Sequence, residues 1–233
     1  MELRSQLIQL AEPAYRDFAA SLIPNVRPML GVRLPQLRKL ARQVAAGDWQ
    51  THLQESPEDY FEEVMIKGLA IAYAQAPGPV IAAALEEFLP KVNDWSVCDS
   101  VCATLRIARR EPELFLATAL RWSQSRQEFS QRMGLVLMLD HFLLPSTIHQ
   151  VLEACCSLRP VGQYDRMAAG WCLATAWPLF PQLVEPLLAP GQLEEPIRRM
   201  ALRKLLDSRR VPAPDKTRFR TLLSQKEESS CPF

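Results

Sequence analysis

The chain has 233 residues, 48% of them hydrophobic, which is enough for one large domain or two small ones. No apolar run reaches the ~18 residues that a membrane-spanning helix needs, and no glycine-rich phosphate loop is present. The net charge is only +1, but residues 190–223 carry nine basic and four acidic groups. We therefore expect this part of the chain to meet an anionic partner.

The six cysteines are typical of reduced thiols that pack as small hydrophobic side chains. The N-terminal segment is polar and amphipathic, unlike a secretory signal, and the three histidines are too far apart for a zinc pattern. The sequence therefore predicts a cytoplasmic protein without metal or cofactor, which we expect to be a monomer.

Helical periodicity dominates the chain, and no alternating strand pattern is found. An opening amphipathic helix is predicted over 3–22, ended by Ile23-Pro24-Asn25 and Pro28. A helix over 35–46 follows, and Asp94 is predicted to cap a later one. The remaining prediction is a series of antiparallel pairs: 56–76 with 78–92, 95–108 with 112–124, 127–143 with 146–158, 163–177 with 181–188, and 193–208 with 213–224.

A repeat of about one helix pair runs through the chain. Met65, Asp99, Met133, Met167 and Met200 are separated by gaps of 34, 34, 34 and 33 residues. Such a period is typical of stacked helix pairs, so we predict an all-α, right-handed α-solenoid of about six HEAT-like antiparallel pairs. One domain over 1–226 and a disordered tail over 227–233 complete this prediction.

We call these five repeat-related residues the register positions, and an arginine directly precedes three of them. Arg132, Arg166 and Arg199, together with Arg198 and Arg203, are predicted to line one face and to contact DNA phosphates. The alternative is that these side chains form ion pairs between repeats, for example Arg166 with a nearby carboxylate.

Asp99 is an acid in a position otherwise filled by methionine, and such a departure often marks function. It follows Trp95 by four residues, so the two share a helix face. The alternative is a structural ion pair between Asp99 and Arg132 or Arg106. Trp171 has leucines at its equivalent positions, which favours a core role for it.

Four segments carry a resemblance to a known family. They are Leu30-Gly31-Val32-Arg33-Leu34-Pro35-Gln36-Leu37-Arg38, Asn93-Asp94-Trp95-Ser96-Val97-Cys98-Asp99, Gln131-Arg132-Met133 and Arg166-Met167-Ala168-Ala169-Gly170-Trp171. In their order and spacing, the chain resembles the HEAT-like-repeat family of bacterial DNA alkylation repair proteins, the AlkD-like alkylpurine DNA glycosylases.

The resemblance implies a reaction and a set of site residues. Asp99 would be the catalytic aspartate, Trp95 and Trp171 would embrace the deoxyribose, and Arg132 would be the active-site arginine. The implied activity is hydrolysis of the N-glycosidic bond of 7-methylguanine and 3-methyladenine in duplex DNA. It implies no metal, no lyase step and no pocket for the base.

The chain departs from the family pattern upstream of Gly31. This region is shorter, and Tyr15 falls too early to match the tyrosine that active members supply there. Two alternatives therefore remain: a catalytically silent DNA-binding protein for damaged or branched duplexes, or a solenoid that binds other proteins.

Overall fold

The computed structural model describes residues 3–23 and 27–224. Within these ranges the chain forms fourteen α-helices, three short 3-10 segments and no strand, and 73% of it is helical. None of the helices in this part of the chain is long and apolar enough to cross a membrane. The all-helical prediction is therefore confirmed.

The helices follow one another with short connections. Their bounds are α1 Leu3–Gln9, α2 Pro13–Leu22, α3 Leu34–Ala46, α4 Trp49–Glu55, α5 Phe61–Tyr73, α6 Gly78–Phe88, α7 Trp95–Thr104, α8 Pro112–Ser123, α9 Glu128–His141, α10 Ile148–Cys156, α11 Gln163–Ala176, α12 Pro181–Val184, α13 Glu195–Asp207 and α14 Ala213–Ser224. The 3-10 segments are Leu89–Lys91, Arg106–Arg109 and Glu185–Leu188.

The chain divides into two compact units, Met1–Thr118 and Ala119–Phe233. In the first unit α3, α5 and α7 pack side by side in chain order. In the second unit α9, α11 and α13 do the same. Apart from α3, which was predicted as a single helix, these are the first helices of the predicted pairs. The packing within each unit is therefore compatible with stacked helix pairs. The single domain and the continuous right-handed solenoid remain predictions.

Local chemistry explains where the predicted elements were wrong. The opening helix is two helices, because Pro13 lacks a backbone N–H and starts α2 instead of continuing α1. Helix α4 was not predicted, although the side chain of Asp48 caps it by accepting from the Thr51 N–H at 3.1 Å. Residues 24–25 and the tail over 227–233 lie outside the residues that the structure describes.

The register positions do not all have the same environment. Met65 and Met133 are fully buried, whereas Asp99, Met167 and Met200 are partly exposed. The acid therefore does not occupy a closed core position.

A buried polar side chain lies two residues before most register positions, and it satisfies backbone groups of neighbouring segments. Glu63 accepts from the N–H groups of residues 59 and 60, and Asp165 accepts from those of residues 161 and 162. Gln131 donates to two loop carbonyls, whereas Arg198 donates to carbonyls of a 3-10 segment and of α14. All four side chains are buried, so this position ties each helix to the segments packed against it.

Candidate functional site

The first candidate residues lie at the start of α7. Asp94 caps this helix, and its carboxylate accepts from the Val97 N–H at 2.9 Å, as predicted. Trp95 is the first residue of the helix, and Asp99 follows one turn later. Both side chains are partly exposed and, at a spacing of four residues, lie on one helix face. The unit thus presents an indole and a carboxylate together at a surface.

The N-terminal helices reach this face. The indole N–H of Trp95 donates to the carbonyl of Leu22, the last residue of α2, at 3.4 Å. Leu22 and Phe18 lie one turn apart on α2 and are 51% and 60% exposed. Tyr15, the residue that falls too early for the family pattern, packs its ring under the Arg33 guanidinium at 4.7 Å. An exposed apolar pair, and not a tyrosine, therefore adjoins the contact between α2 and Trp95.

The loop before α3 holds α2 in this position. Gly31 has φ +90, and an added Cβ there would lie 2.5 Å from the Glu12 carbonyl oxygen. The Glu12 N–H donates to the Gly31 carbonyl at 3.1 Å, and the Glu12 side chain pairs with Arg33 at 2.9 Å. Buried Glu62 accepts from the three successive N–H groups of residues 30–32. Only glycine fits this close approach of two backbones without strain.

Asp94 and Asp99 place two carboxylates close together. Burial raises the pKa of Asp94, and the negative charge of Asp99 raises it further. Hydrogen bonds from the backbone N–H groups of Val97 and Ser96 act in the opposite direction, as does the charge of Arg27. Asp94 and Asp99 therefore lie close enough at the start of α7 for their charges to interact.

This pair gives a prediction on pH. Because the pKa of Asp94 is raised in the folded state, the folded protein binds its proton more tightly than the unfolded chain does. The stability that the Asp94 proton contributes is fully present below the pKa of Asp94 in the unfolded chain. It is lost as the pH rises through the pKa of Asp94 in the folded protein. Asparagine caps helices about as well as aspartate. As the pH rises from the unfolded to the folded pKa of Asp94, the wild type should lose stability that Asp94→Asn keeps. The melting temperature of Asp94→Asn should therefore rise relative to that of the wild type over this pH range. A constant difference between the two melting temperatures would contradict this account.

Arg132 lies on α9 in the second unit and is buried. Its guanidinium donates to the carbonyl of Tyr164 at 2.9 Å, just inside the start of α11. A buried guanidinium bonded to a backbone carbonyl of the neighbouring helix does not match the exposed row of arginines expected from the sequence. Its predicted role in the active site is not tested by this observation.

Arg166 and Arg199 are partly exposed and form ion pairs with acids at the start of α13. Arg166 pairs with Glu194 at 3.2 Å, and Arg199 pairs with Glu195 at 3.7 Å. The Arg166 contact matches the alternative of ion pairs between repeats, whereas Arg199 and Glu195 pair within α13 itself. Surface pairs of this kind contribute only about 0–1 kcal/mol, so a phosphate can replace the carboxylate at little cost.

The burial and hydrogen bonds of Arg198 argue against the DNA contact predicted for it. Its side chain is fully buried and forms two hydrogen bonds with Glu195, at 2.6 and 2.9 Å. It also donates to the carbonyls of Leu188 and Leu222. Arg203 lies on the same helix and is exposed, as a phosphate contact requires.

Trp171 lies on α11 and is partly exposed, although the leucines at its equivalent positions are fully buried. Its indole lines a cavity of about 470 Å³ in the second unit. The charged side chains of this cavity are Lys204, Asp207, Arg209 and Arg210. Three cations against one anion beside an aromatic ring form a surface suited to a nucleic-acid backbone.

Lys204, Arg209 and Arg210 were not among the residues predicted for the site. Two signals in the sequence point to them. Lys204 follows Met200 by four residues, as Trp171 follows Met167, and all three lie within the basic stretch 190–223. Over residues 3–23 and 27–224, no group of three or more His, Cys, Asp or Glu side chains is placed to hold a metal ion.

Comparison with known proteins identifies the family. A family model described as "DNA alkylation repair enzyme" matches residues 3–204. No curated protein matches the chain. The matched region contains both candidate tryptophans, Asp99 and Arg132, and it covers far more than half of the sequence. The chain therefore belongs to the family of DNA alkylation repair enzymes.

Proposed function

We propose that the protein is a DNA glycosylase that hydrolyses the N-glycosidic bond of cationic alkylated purines in duplex DNA. Its substrates would be 7-methylguanine and 3-methyladenine. The observation that carries this proposal is the partly exposed face of α7, on which Trp95 and Asp99 lie one turn apart in a chain of the alkylation repair family.

The reaction follows from the charge of the lesion. An alkylated purine is positively charged, so it leaves readily with the electron pair of its bond to C1′ and becomes neutral. Positive charge then develops on the deoxyribose, and the Asp99 carboxylate stabilises it. Water adds its oxygen to C1′ and loses a proton. The products are the free base and an abasic site.

The aromatic side chains would also stabilise positive charge on the deoxyribose. The electron-rich faces of Trp95 and Trp171 favour a cation, and this attraction grows as the sugar becomes oxocarbenium-like. The indole N–H of Trp95 is already bonded to the Leu22 carbonyl, which restricts the orientation of its ring. Arg132 would act as a positioning residue through its bond to the Tyr164 carbonyl.

Duplex binding would rest on cations of the second unit. Arg203, Arg209 and Arg210 are exposed, and Lys204 lies with the latter two in the cavity beside Trp171. Arg166 and Arg199 would join them by exchanging their weak carboxylate partners for phosphates. Binding through such contacts weakens steeply with salt.

A duplex with a single 7-methylguanine tests the proposal. The wild-type protein should produce a site in the damaged strand that breaks only after treatment with alkali. This result is expected because hydrolysis leaves an abasic site without cutting the backbone. Strand cleavage before alkali treatment would contradict a simple hydrolase, and an undamaged duplex is the control.

A catalytically silent DNA-binding protein is the second candidate. The basic cavity beside Trp171 favours it, because cations there could neutralise the backbone phosphates of a duplex without any reaction at Asp99. Salt-dependent binding of the duplex without alkali-sensitive sites would select this candidate over the glycosylase.

A further inference from the structure

A second basic cavity lies in the first unit, where α5 and α7 end. It has a volume of about 450 Å³, and its lining includes Tyr73, Arg42, Arg106 and Arg110. No Asp or Glu among the described residues lines it. Glu111 is adjacent in sequence, but one of its carboxylate oxygens accepts from the Gly78 N–H at 2.9 Å.

Neutral acceptors organise the arginines around this cavity. Arg38 donates to the hydroxyl of Tyr73 at 3.1 Å and to that of Thr104 at 2.9 Å. Arg42 donates to the same Tyr73 hydroxyl at 3.2 Å, and its guanidinium stacks on the Tyr73 ring at 4.7 Å. Two guanidinium groups are thus held in defined places by one tyrosine while keeping their full charge.

Four arginines lie in or beside this cavity: Arg38, Arg42, Arg106 and Arg110. None of them forms an ion pair with a carboxylate in residues 3–23 and 27–224. Elsewhere in the chain many arginines are paired in this way, for example Arg4 with Glu63 at 2.6 Å and Arg33 with Glu12 at 2.9 Å. Four like charges gathered without a counter-ion repel one another. Such an arrangement is stable when an anion joins it.

The helix ends do not cancel this charge. The C-termini of α5 and α7 each contribute roughly −0.5 of an elementary charge. Part of that is already satisfied, because the Ala74 N–H donates back into α5 and the Thr104 hydroxyl donates to the Ser100 carbonyl. About one negative charge from two helix ends is smaller than the four positive charges of the guanidinium groups.

We propose that this cavity binds a phosphate group, with Arg42, Arg106 and Arg110 as its ligands and Arg38 and Tyr73 as positioning residues. Guanidinium forks match phosphate oxygens in two-point hydrogen bonds. We assign this phosphate to the backbone of duplex DNA, and this assignment rests on the proposed function.

Matched variants test the proposal on the intact protein. Arg106→Gln and Arg110→Gln remove exposed guanidinium groups of the cavity, and Arg109→Gln removes the same charge from the same turn outside the cavity. Binding of an undamaged, fluorescently labelled duplex is measured against salt concentration. The two cavity variants should weaken binding and lower the slope of log K against log salt by about 0.9 for each phosphate that the protein no longer neutralises. Arg109→Gln should have a smaller effect.

The outcomes separate this site from the glycosylase proposal. If the wild type binds the duplex and all three variants lose affinity equally, or none does, the cavity is not a phosphate site. If the wild type binds no duplex, the DNA source fails, and a second arm measures thermal stabilisation by tripolyphosphate. Stabilisation that is absent in Arg106→Gln/Arg110→Gln and kept in Arg109→Gln supports a site for free phosphates. No stabilisation of the wild type in that arm overturns the site altogether.

Discussion

Replacing Asp99 with asparagine is expected to lower the rate of base excision by about 10²–10³-fold, the usual effect of removing one electrostatic stabiliser of a transition state. Asparagine has the same shape but no charge, so it cannot stabilise the positive charge that develops on the sugar. Because Asp99 is partly exposed and lies beside the acidic Asp94, its loss should leave the fold intact. Single-turnover release of 7-methylguanine measures the effect.

Two controls make this result specific. Asp59→Asn is the same chemical change in the same unit, at an exposed side chain that pairs with Arg4, and it should keep the wild-type rate. Melting temperatures of both variants show whether the fold is retained. An Asp99→Asn protein that melts at a lower temperature and excises at the wild-type rate would show that the aspartate is only structural.

Removal of Arg198 is expected to have the largest effect on stability. Arg198→Ala removes a fully buried guanidinium that bonds the Glu195 carboxylate and donates to the carbonyls of Leu188 and Leu222. Glu195 keeps only its longer contact with Arg199, at 3.7 Å. A buried carbonyl that loses its donor costs about 1–3 kcal/mol, and two carbonyls lose the Arg198 donor. Denaturant unfolding of the purified variant measures the loss.

Arg203→Ala is the matched variant on the same helix. Arg203 is exposed, so its loss should leave the unfolding free energy almost unchanged and should weaken the binding of duplex DNA. The opposite pattern, with a stable Arg198→Ala protein that binds DNA poorly, would restore the original prediction that Arg198 contacts phosphates.

The repeat explains why much of the fold could be predicted from the sequence. A spacing of 33 or 34 residues, with prolines at helix starts, was enough to locate the first helices of the pairs. The bounds then depended on local chemistry, such as the Asp94 cap of α7. Pro13 and the Asp48 cap are equally local signals, and they account for the split opening helix and for α4.

The candidate site was harder to predict, because the environment of a charge depends on neighbours that are distant in sequence. Arg198 and Arg199 are adjacent in the sequence, yet one is fully buried and the other is partly exposed. The position within the repeat does distinguish Arg198 from Arg199. Arg198 lies two residues before a register position, where the buried polar residues Glu63 and Asp165 also lie. The cavity lining at Arg209 and Arg210 comes from the loop after α13, where no periodicity indicates which side chains meet.

The wild-type protein should release methylated base from duplex DNA, and this release is the most direct test of glycosylase activity. Alkylated duplex is incubated with an excess of protein, and the soluble fraction is analysed by chromatography and mass spectrometry for free 7-methylguanine. With protein present, free base should accumulate well above the spontaneous rate seen without protein. Release at the spontaneous rate, from a folded protein that binds the duplex, would contradict the glycosylase and leave the silent DNA-binding protein as the function.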